Sequence, residues 1–233
     1  MCGIIGYVGP RCAEKVVVDG LRRMEYRGYD SAGIAVLDAG ALHVRKKAGK
    51  LVNLETLLEI EPIAASNLAI GHTRWATHGA PNDTNAHPHV SSNGRIALVH
   101  NGIIENFAAL RAEAEAAGAV FDSETDTEAA AQLLGLEVAS GADLADAMRT
   151  ICRRLEGAFT LVAIDSHVPD RIVAARRNSP LVVGVGQGEM FVASDVAAFI
   201  EFTRDAVEMG QDEIAEVSRE GYTVTDFAGN VVQ

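Results

Sequence analysis

The spacing of apolar residues predicts strands at both ends of the chain and helices in its middle. Apolar residues recur at three- and four-residue intervals in the predicted helices, and they run unbroken or alternate with polar residues in the predicted strands. The predicted helices start near Pro10, near residues 104 and 142, and at Thr125. The predicted strands cover residues 3–9, 32–37, 42–46, 68–73, 95–99, 158–165, 171–176, 181–186, 189–193, 206–209, 213–217 and 222–226. This order favours an α+β fold in which sheets pack together and helices cover their outer faces.

One segment, residues 74–94, interrupts this pattern because it has no apolar period. It is rich in His, Asn, Pro, Thr and Gly. A long irregular segment inside a compact domain is usually functional or disordered. The chain has no internal repeat, low-complexity tract or clear linker, so we expect residues 1–233 to form a single domain.

Composition narrows the class of protein. The chain is 48% hydrophobic and 22% charged, which is typical of a globular protein, and its formal net charge of −12 argues against a nucleic-acid partner. No apolar run has the length of a membrane span, and no signal-peptide pattern opens the chain. The chain has three cysteines, Cys2, Cys12 and Cys152. Because they are few and odd in number, they argue against a disulfide framework and indicate a reducing cytoplasm.

The opening run Met1-Cys2-Gly3-Ile4-Ile5-Gly6 places a cysteine directly after the initiator methionine. A small residue at position 2 favours removal of Met1, and Cys2 would then hold both a thiol and a free α-amine. Their reference pKa values, about 8.5 and about 7.7–8.0, suit a nucleophile and a base that act near neutral pH. The other interpretation is an apolar strand that happens to begin with cysteine, and position alone does not separate the two.

Two segments have an ordinary structural explanation that leaves some of their residues unexplained. Gly28 fits the left-handed cap of a helix, but a cap does not account for Arg27 or for the polar residues 29–31 before an apolar strand. Residues 125–128 have the spacing of a capping box, in which Asp126 is a favourable first-turn anion. Asp126 could instead accept hydrogen bonds from a substrate ammonium group, although the local sequence favours the cap.

The start of the irregular segment combines residues suited to ligand binding. Arg74 ends a predicted strand, and its guanidinium suits bidentate binding of a carboxylate. Trp75, the single tryptophan of the chain, could be a core anchor or could cover a ligand. Gly79 and Pro81 allow a shaped loop after it, which favours a functional interpretation of the segment.

Asn101-Gly102 follows a predicted strand and is therefore a strong hairpin signal. Residues 103–107, however, favour a helix, which weakens that interpretation. The alternative is a pair of donors, because an Asn side-chain N–H and a Gly backbone N–H can converge on a developing oxyanion, as in acyl transfer.

Five of the seven histidines lie within residues 72–100, which raises the possibility of a metal site. His87 and His89, two positions apart on an extended segment, could face one metal ion. Their spacing matches no common zinc pattern, and no cluster of Cys or carboxylate residues completes it. Histidines that order the loop are therefore the favoured interpretation.

Segments along the whole chain together resemble a known family. They are residues 2–6, 26–33, 72–79, 85–89, 100–106, 123–128, 174–176 and 179–181. In this order they resemble the glutaminase domain of the glutamine–fructose-6-phosphate aminotransferases, which are class II, N-terminal nucleophile glutamine amidotransferases. The related amidophosphoribosyltransferases share the N-terminal Cys, an Asn-Gly pair and an Asp, but they lack the sequence motif of residues 74–78. The aminosugar family is therefore favoured.

This resemblance implies a four-layer αββα sandwich without a metal or organic cofactor. It implies that Cys2 is the nucleophile, that its own α-amine is the base, and that Asn101 and Gly102 form the oxyanion hole. It also implies that Arg74 binds the α-carboxylate of glutamine and that Asp126 binds its α-ammonium group. The residues implied to lie in the closing loop or beside the nucleophile are Trp75, Thr77, His78 and Arg27.

The implied reaction is hydrolysis of L-glutamine to glutamate and ammonia, and the full-length relatives would pass the ammonia to fructose 6-phosphate. The sugar isomerase portion that would use it is absent from residues 1–233, so we expect an excised domain or part of a split enzyme. Three alternatives remain: a noncatalytic glutamine-binding regulatory domain, the glutaminase domain of another amidotransferase, and a histidine-based metal-binding protein.

Overall fold

Two antiparallel sheets form the centre of the protein in a computed structural model that describes residues 2–232. The strands are β1 (Gly3–Val8), β2 (Ser31–Asp38), β3 (Ala41–Ala48), β4 (Leu68–Arg74), β5 (His89–Val90), β6 (Ile96–Ile104), β7 (Gly157–Asp165), β8 (Arg171–Arg177), β9 (Val182–Val185), β10 (Met190–Ala193), β11 (Ala206–Glu208), β12 (Glu213–Ser218) and β13 (Gly221–Asp226). The α-helices are α1 (Ala13–Arg23), α2 (Leu51–Ile60), α3 (Phe107–Ala116), α4 (Asp126–Ala139) and α5 (Leu144–Cys152). Short 3-10 helices span Glu25–Arg27 and Val196–Ala198.

The strand order places β1 in the middle of its sheet. The first sheet has the order β11-β9-β10-β1-β4-β2-β3, and the second has the order β13-β12-β8-β7-β6-β5. In the first sheet β1 is antiparallel to β4, and Gly3 at its start is opposite Thr73 near the end of β4. The chain just before β1 therefore lies beside the chain just after β4.

Three apolar clusters separate four layers. The first contains residues of both sheets, including Ile70 of β4 and Val162 of β7, and fills the space between them. The second packs α1 and α2 on the outer face of the first sheet, and the third packs α3, α4 and α5 on the outer face of the second. Gly71 lets α1 approach β4, because a Cβ there would lie 2.3 Å from a methyl carbon of Val17. The predicted αββα sandwich is thus confirmed.

The predicted strands are all present with small shifts at their ends, and two predicted helices begin three residues later than expected. The strand predicted for residues 95–99 continues to Ile104, because β6 pairs with β7 along its whole length, up to Ile104 opposite Gly157. The following helix consequently begins at Phe107 and not at residue 104. Helix α1 begins at Ala13, three residues after Pro10.

Helix α2 was not predicted, although the sequence contains its signal. Leu51, Leu54 and Leu58 recur at helical spacing and are all buried against the first sheet. In residues 74–94, the short strand β5 is a further element that the sequence did not indicate.

The expected cap at Thr125 is present, with one difference. The Thr125 side chain accepts a hydrogen bond from the Glu128 amide, as in a capping box. The Glu128 carboxylate accepts hydrogen bonds from the amides of Asp122 and Ser123 instead of from the cap residue. No helix within residues 2–232 is long and apolar enough to cross a membrane.

Candidate active site

A cavity of about 520 Å³ lies where β1 begins and β4 ends. All the residues that the family resemblance singles out contribute to its lining except His78. The lining residues are Cys2, Arg27, Arg74, Trp75, Thr77, His87, His100, Asn101, Gly102, Ile103, Asp126, Thr127, Ser179, Pro180 and Ser194. Residues from the two sheets and from the start of α4 therefore meet around one space.

Cys2 is held at the edge of this cavity by hydrogen bonds on both sides of β1. Its Sγ accepts a hydrogen bond from the Trp75 amide at 3.2 Å. The amide of Gly3 donates to Thr73 Oγ1 at 3.1 Å, and the amide of Ile4 donates to Ser194 Oγ at 3.0 Å. Burial raises the pKa of the Cys2 thiol, so activation of the sulfur near neutral pH needs a base. The predicted removal of Met1 concerns a residue outside the described range.

Asn101 points its side-chain amide at the start of β1. Its Nδ2 donates to the backbone carbonyl of Cys2 at 3.3 Å, and its Oδ1 lies 2.8 Å from Nε2 of His72. Asn101 lies within β6, so the hairpin interpretation, which the sequence already weakened, does not apply at this position.

Gly102 has a backbone conformation that other residues rarely adopt, with φ of 123°. A Cβ at this position would lie only 2.0 Å from the carbonyl oxygen of Ala158 on β7. Glycine is therefore required for β6 to keep its pairing with β7 while residues 101–103 face the cavity.

Arg74 is buried and holds the loop that follows it. Its guanidinium donates to three carbonyls of that loop, those of His78, Gly79 (3.3 Å) and Ala80 (3.5 Å). The carboxylate of Asp30 accepts from the Ala76 amide at 2.6 Å and fixes the near end of the loop. Burial lowers the pKa of Arg74, while the carboxylates of Asp30 and Asp126 favour its charged form.

Asp126 is the first residue of α4, at the other side of the cavity. One carboxylate oxygen accepts from the Ile104 amide at 2.8 Å, and the other accepts from the Thr127 amide at 3.0 Å. The carboxylate therefore connects the end of β6 to the start of α4, and it presents negative charge to a cavity that also contains Arg74.

The remaining implied residues differ in position. Trp75 is 56% exposed at the cavity, and its ring lies next to Gly28. Arg27 donates to Ser194 Oγ at 3.0 Å and lines the same cavity as Cys2. The ring of His78 packs edge-on against Phe107 with 5.1 Å between ring centroids, and it does not line the cavity.

A column of four buried histidines, His72, His87, His89 and His100, lies at the cavity, and two of them, His87 and His100, line it. The rings of His72 and His87 are 4.2 Å apart, and those of His87 and His89 are 4.9 Å apart. The His100 amide donates to Nδ1 of His87 at 3.4 Å. Burial lowers the pKa of all four, to about 3 for His72, so they are neutral near pH 7. Within residues 2–232, no group of three or more His, Cys, Asp or Glu is placed to hold a metal ion.

Some lining residues were not identified from the sequence as site residues. His87 and His100 were considered only as metal ligands or loop-ordering groups, and Ser179-Pro180 only as part of the family resemblance. Ser194 follows β10 and lies far from every motif in the sequence. No local pattern identifies it, because its place at the cavity depends on the pairing of β10 with β1.

The protein is an αββα sandwich in which a cysteine precedes a central strand and shares a cavity with an Asn side chain and a Gly backbone. This arrangement is the one expected of the class of N-terminal nucleophile amidotransferases. The sequence agrees, because residues 61–229 match the family described as the glutamine amidotransferase domain, and the chain belongs to that family.

Curated relatives identify which members of the family the chain is similar to. It is 63% identical over 230 residues to glutamine–fructose-6-phosphate aminotransferase (isomerizing) of Streptomyces coelicolor, covering 99% of this chain and 37% of the relative. It is 59% identical over 239 residues to the protein of the same name from Mycolicibacterium smegmatis, covering 99% of this chain and 38% of the relative. The chain thus spans well under half the length of these relatives.

Solved structures show the same fold. The structure of glutamine phosphoribosylpyrophosphate amidotransferase from B. subtilis has a TM-score of 0.83 at 27% identity, covering 99% of this chain and 50% of that chain. A class-II glutamine aminotransferase domain protein from Silicibacter pomeroyi has a TM-score of 0.61 at 20% identity, covering 97% of this chain and 99% of that chain. The second likeness concerns the fold alone.

Proposed function

We propose that residues 1–233 form a glutaminase domain that hydrolyses the side-chain amide of L-glutamine through a thioester on Cys2. The observation that supports this most directly is the position of Asn101. Its side-chain N–H group is directed at Cys2, in a cavity that also contains the positive Arg74 and the negative Asp126. A nucleophile, an oxyanion donor and two opposite charges for a zwitterion thus share one space.

In the proposed first step, loss of Met1 makes the Cys2 α-amine available as the base. The amine takes the thiol proton, the sulfur attacks the amide carbon, and the carbonyl electrons move to the oxygen. Asn101 Nδ2 and the Gly102 N–H stabilise that oxyanion, and one such donor typically contributes about 2.7–4 kcal/mol. The protonated amine then gives its proton to the leaving nitrogen, which departs as ammonia and leaves a γ-glutamyl thioester.

In the second step water adds to the thioester carbon, the bond between this carbon and the Cys2 sulfur breaks, and glutamate is released. The same amine takes a proton from the water and returns one to the sulfur, so the site is restored. The raised pKa of the buried thiol supports this scheme, because little thiolate exists at neutral pH without a base.

The α-carboxylate of glutamine would pair with Arg74 and its α-ammonium with Asp126. Binding energy at this end orients the amide against the sulfur, which explains a preference for glutamine over simple amides. Trp75 and Thr77 line the cavity, and His78 contributes its backbone to the loop that Arg74 holds.

The role in a longer protein is a further part of the proposal. The two relatives are named for transfer of nitrogen to fructose 6-phosphate, and this chain matches 37–38% of their lengths. We infer that the ammonia made here would serve that reaction in a sugar isomerase portion outside residues 1–233, in the cytoplasm.

Release of ammonia and glutamate from L-glutamine tests the proposal. The wild-type chain and Cys2→Ala are compared, with Cys12→Ala as a control because Cys12 does not line the cavity. Activity in the wild type and in Cys12→Ala, but not in Cys2→Ala, is expected. Intact mass shows whether Met1 is gone. A near-normal rate in Cys2→Ala contradicts the scheme, and glutamine binding without turnover in a processed wild type indicates a noncatalytic binding domain.

A further inference from the structure

We propose that His72 is a positioning residue for the oxyanion hole, which holds the Asn101 amide so that its N–H group faces the nucleophile. The inference deepens the proposed glutaminase function and rests on it. His72 does not line the cavity, so it acts on the reaction only through Asn101.

The contact joins the two sheets. His72 lies on β4 in the first sheet, and Asn101 lies on β6 in the second. Nε2 of His72 is 2.8 Å from Asn101 Oδ1, and Asn101 Nδ2 is 3.3 Å from the carbonyl oxygen of Cys2. The Asn101 amide is therefore held at both ends, by an imidazole on one side and by the backbone of the nucleophile on the other.

The two hydrogen bonds determine which way the amide faces. The Cys2 carbonyl can only accept, so Nδ2 must face it and Oδ1 must face His72. A reversed amide would place two acceptors together at Cys2 and two donors together at His72. It would also direct an oxygen, instead of an N–H group, toward the developing oxyanion. The orientation useful for catalysis thus requires a hydrogen on Nε2 of His72.

The surroundings of His72 favour that tautomer. Burial lowers its pKa to about 3, so the ring is neutral and has one N–H near pH 7. Asn101 Oδ1, 2.8 Å from Nε2, is a well-placed acceptor for that N–H, whereas the His100 backbone, which also contacts the ring, makes no hydrogen bond of good geometry with Nδ1. The His87 ring packs against the imidazole, tilted by 31° with 4.2 Å between the ring centroids.

Variants at His72 separate positioning from packing. His72→Phe keeps a ring beside His87 but has no donor, whereas Gln in His72→Gln can place an amide N–H near the position of Nε2. We expect His72→Phe to lower kcat for glutamine hydrolysis at least tenfold with little change in KM. Asn101→Ala sets the upper limit of this effect, because removal of one oxyanion donor typically lowers kcat roughly 10²–10³-fold. His72→Gln should recover most of the wild-type kcat.

A double variant tests whether His72 acts through Asn101. If it does, His72→Phe causes no further loss of kcat in the Asn101→Ala background, because there is no amide left to orient. Equal losses in His72→Phe and His72→Gln, a loss that is unchanged by Asn101→Ala, or an effect on KM alone would each overturn the inference.

The tautomer of His72 can be observed in the unmodified protein, so the inference can be tested even if the variants do not fold. Long-range ¹H–¹⁵N spectra distinguish a hydrogen on Nε2 from one on Nδ1. The inference requires the Nε2–H form for His72, and an Nδ1–H form overturns it. Failure of the glutaminase proposal is distinct, because the wild-type chain would then release no more ammonia than Cys2→Ala.

Discussion

The amide of Trp75 donates a hydrogen bond to the sulfur of Cys2 across 3.2 Å, so the proposed nucleophile and the loop after β4 are in direct contact. The same residue is 56% exposed and lines the cavity. The single tryptophan of the chain therefore lies at the cavity, next to the sulfur of the proposed nucleophile.

Trp75 should report ligand binding by its fluorescence. Glutamine in the cavity would cover part of the exposed indole, and an indole that leaves water emits at shorter wavelength. We expect L-glutamine added to the inactive Cys2→Ala variant to shift the emission to the blue in a saturable way. Asp126→Ala in the same background should need higher glutamine concentrations, and an emission spectrum unaffected by saturating glutamine would contradict a site at this cavity.

Arg74 and Asp126 should affect KM more than kcat, since both lie at the amino-acid end of the proposed substrate. Asp126→Asn retains the shape of the side chain and an oxygen for the Ile104 amide but loses the negative charge and the acceptor for the Thr127 amide. We expect it to raise KM for glutamine at least tenfold while kcat changes little, and Arg74→Ala to raise KM as well. Steady-state glutaminase kinetics check this, and a fall in kcat at constant KM would assign these residues to the chemical step.

Gly102→Ala should disrupt the pairing of β6 with β7. The new Cβ would lie 2.0 Å from the Ala158 oxygen and would be held at a φ of 123°. Overpacking and backbone strain each cost about 1–3 kcal/mol, so we expect a loss of about 3 kcal/mol or more in the free energy of unfolding. Gly118→Ala is the matched control, because Gly118 also has positive φ but has open space at its Cβ. Urea unfolding that gives equal losses for the two variants would show that the contact with Ala158 does not matter.

The sequence contained enough local information to predict the layers, but not the environment of the site. The strands and most helices follow from apolar spacing. The site does not, because the chain before β1 meets the chain after β4 only through the pairing of these two strands. Gly102 illustrates the limit, because Asn-Gly is a strong local hairpin signal that the long pairing of β6 with β7 overrides.

The cavity residues also divide into those that local motifs indicate and those that they do not. Cys2, Arg74 and Asp126 were identified because a family resemblance gave meaning to local motifs. Ser194 and the contact of His72 with Asn101 depend on residues far apart in sequence, and no spacing rule indicates them. The irregular composition of residues 74–94 indicated a functional or disordered segment, and Arg74, Trp75, Thr77 and His87 of this segment line the cavity. It did not indicate that buried histidines would pack together there.

Lys46 should be important for the loop that contains His87. Its Nζ donates to the carbonyls of Thr84 and Ala86, both at 2.9 Å, and to that of Pro88 at 3.4 Å. Lys46→Met removes these donors, and we expect a loss of about 1–3 kcal/mol in unfolding free energy and faster amide exchange in residues 84–88. Lys47→Met is the control on the next residue, where an exposed ion pair with Asp83 is worth about 0–1 kcal/mol. Equal effects of the two variants would contradict a specific role for Lys46.

The buried histidines should make the fold less stable in mild acid. Their folded-state pKa values lie below the unfolded value of about 6.5, so the unfolded chain binds more protons as the pH falls. Stability is therefore fully present above pH 6.5 and decreases below it. Each histidine that stays neutral in the fold contributes about 1.3 kcal/mol of loss between pH 7 and pH 5.5. His87 and His89, whose pKa values burial also lowers, should add to the loss from His72.

Urea unfolding at several pH values between 7 and 5.5 measures this loss. His100, whose pKa is also lowered by burial, acts in the same direction. His72→Gln provides an internal comparison, because it removes one titrating group and should reduce the pH-dependent loss by about 1.3 kcal/mol, whatever its effect at pH 7. An unfolding free energy that stays constant over this range would mean that the histidines are solvated or become protonated within the fold, and the column would then not be a neutral support for Asn101.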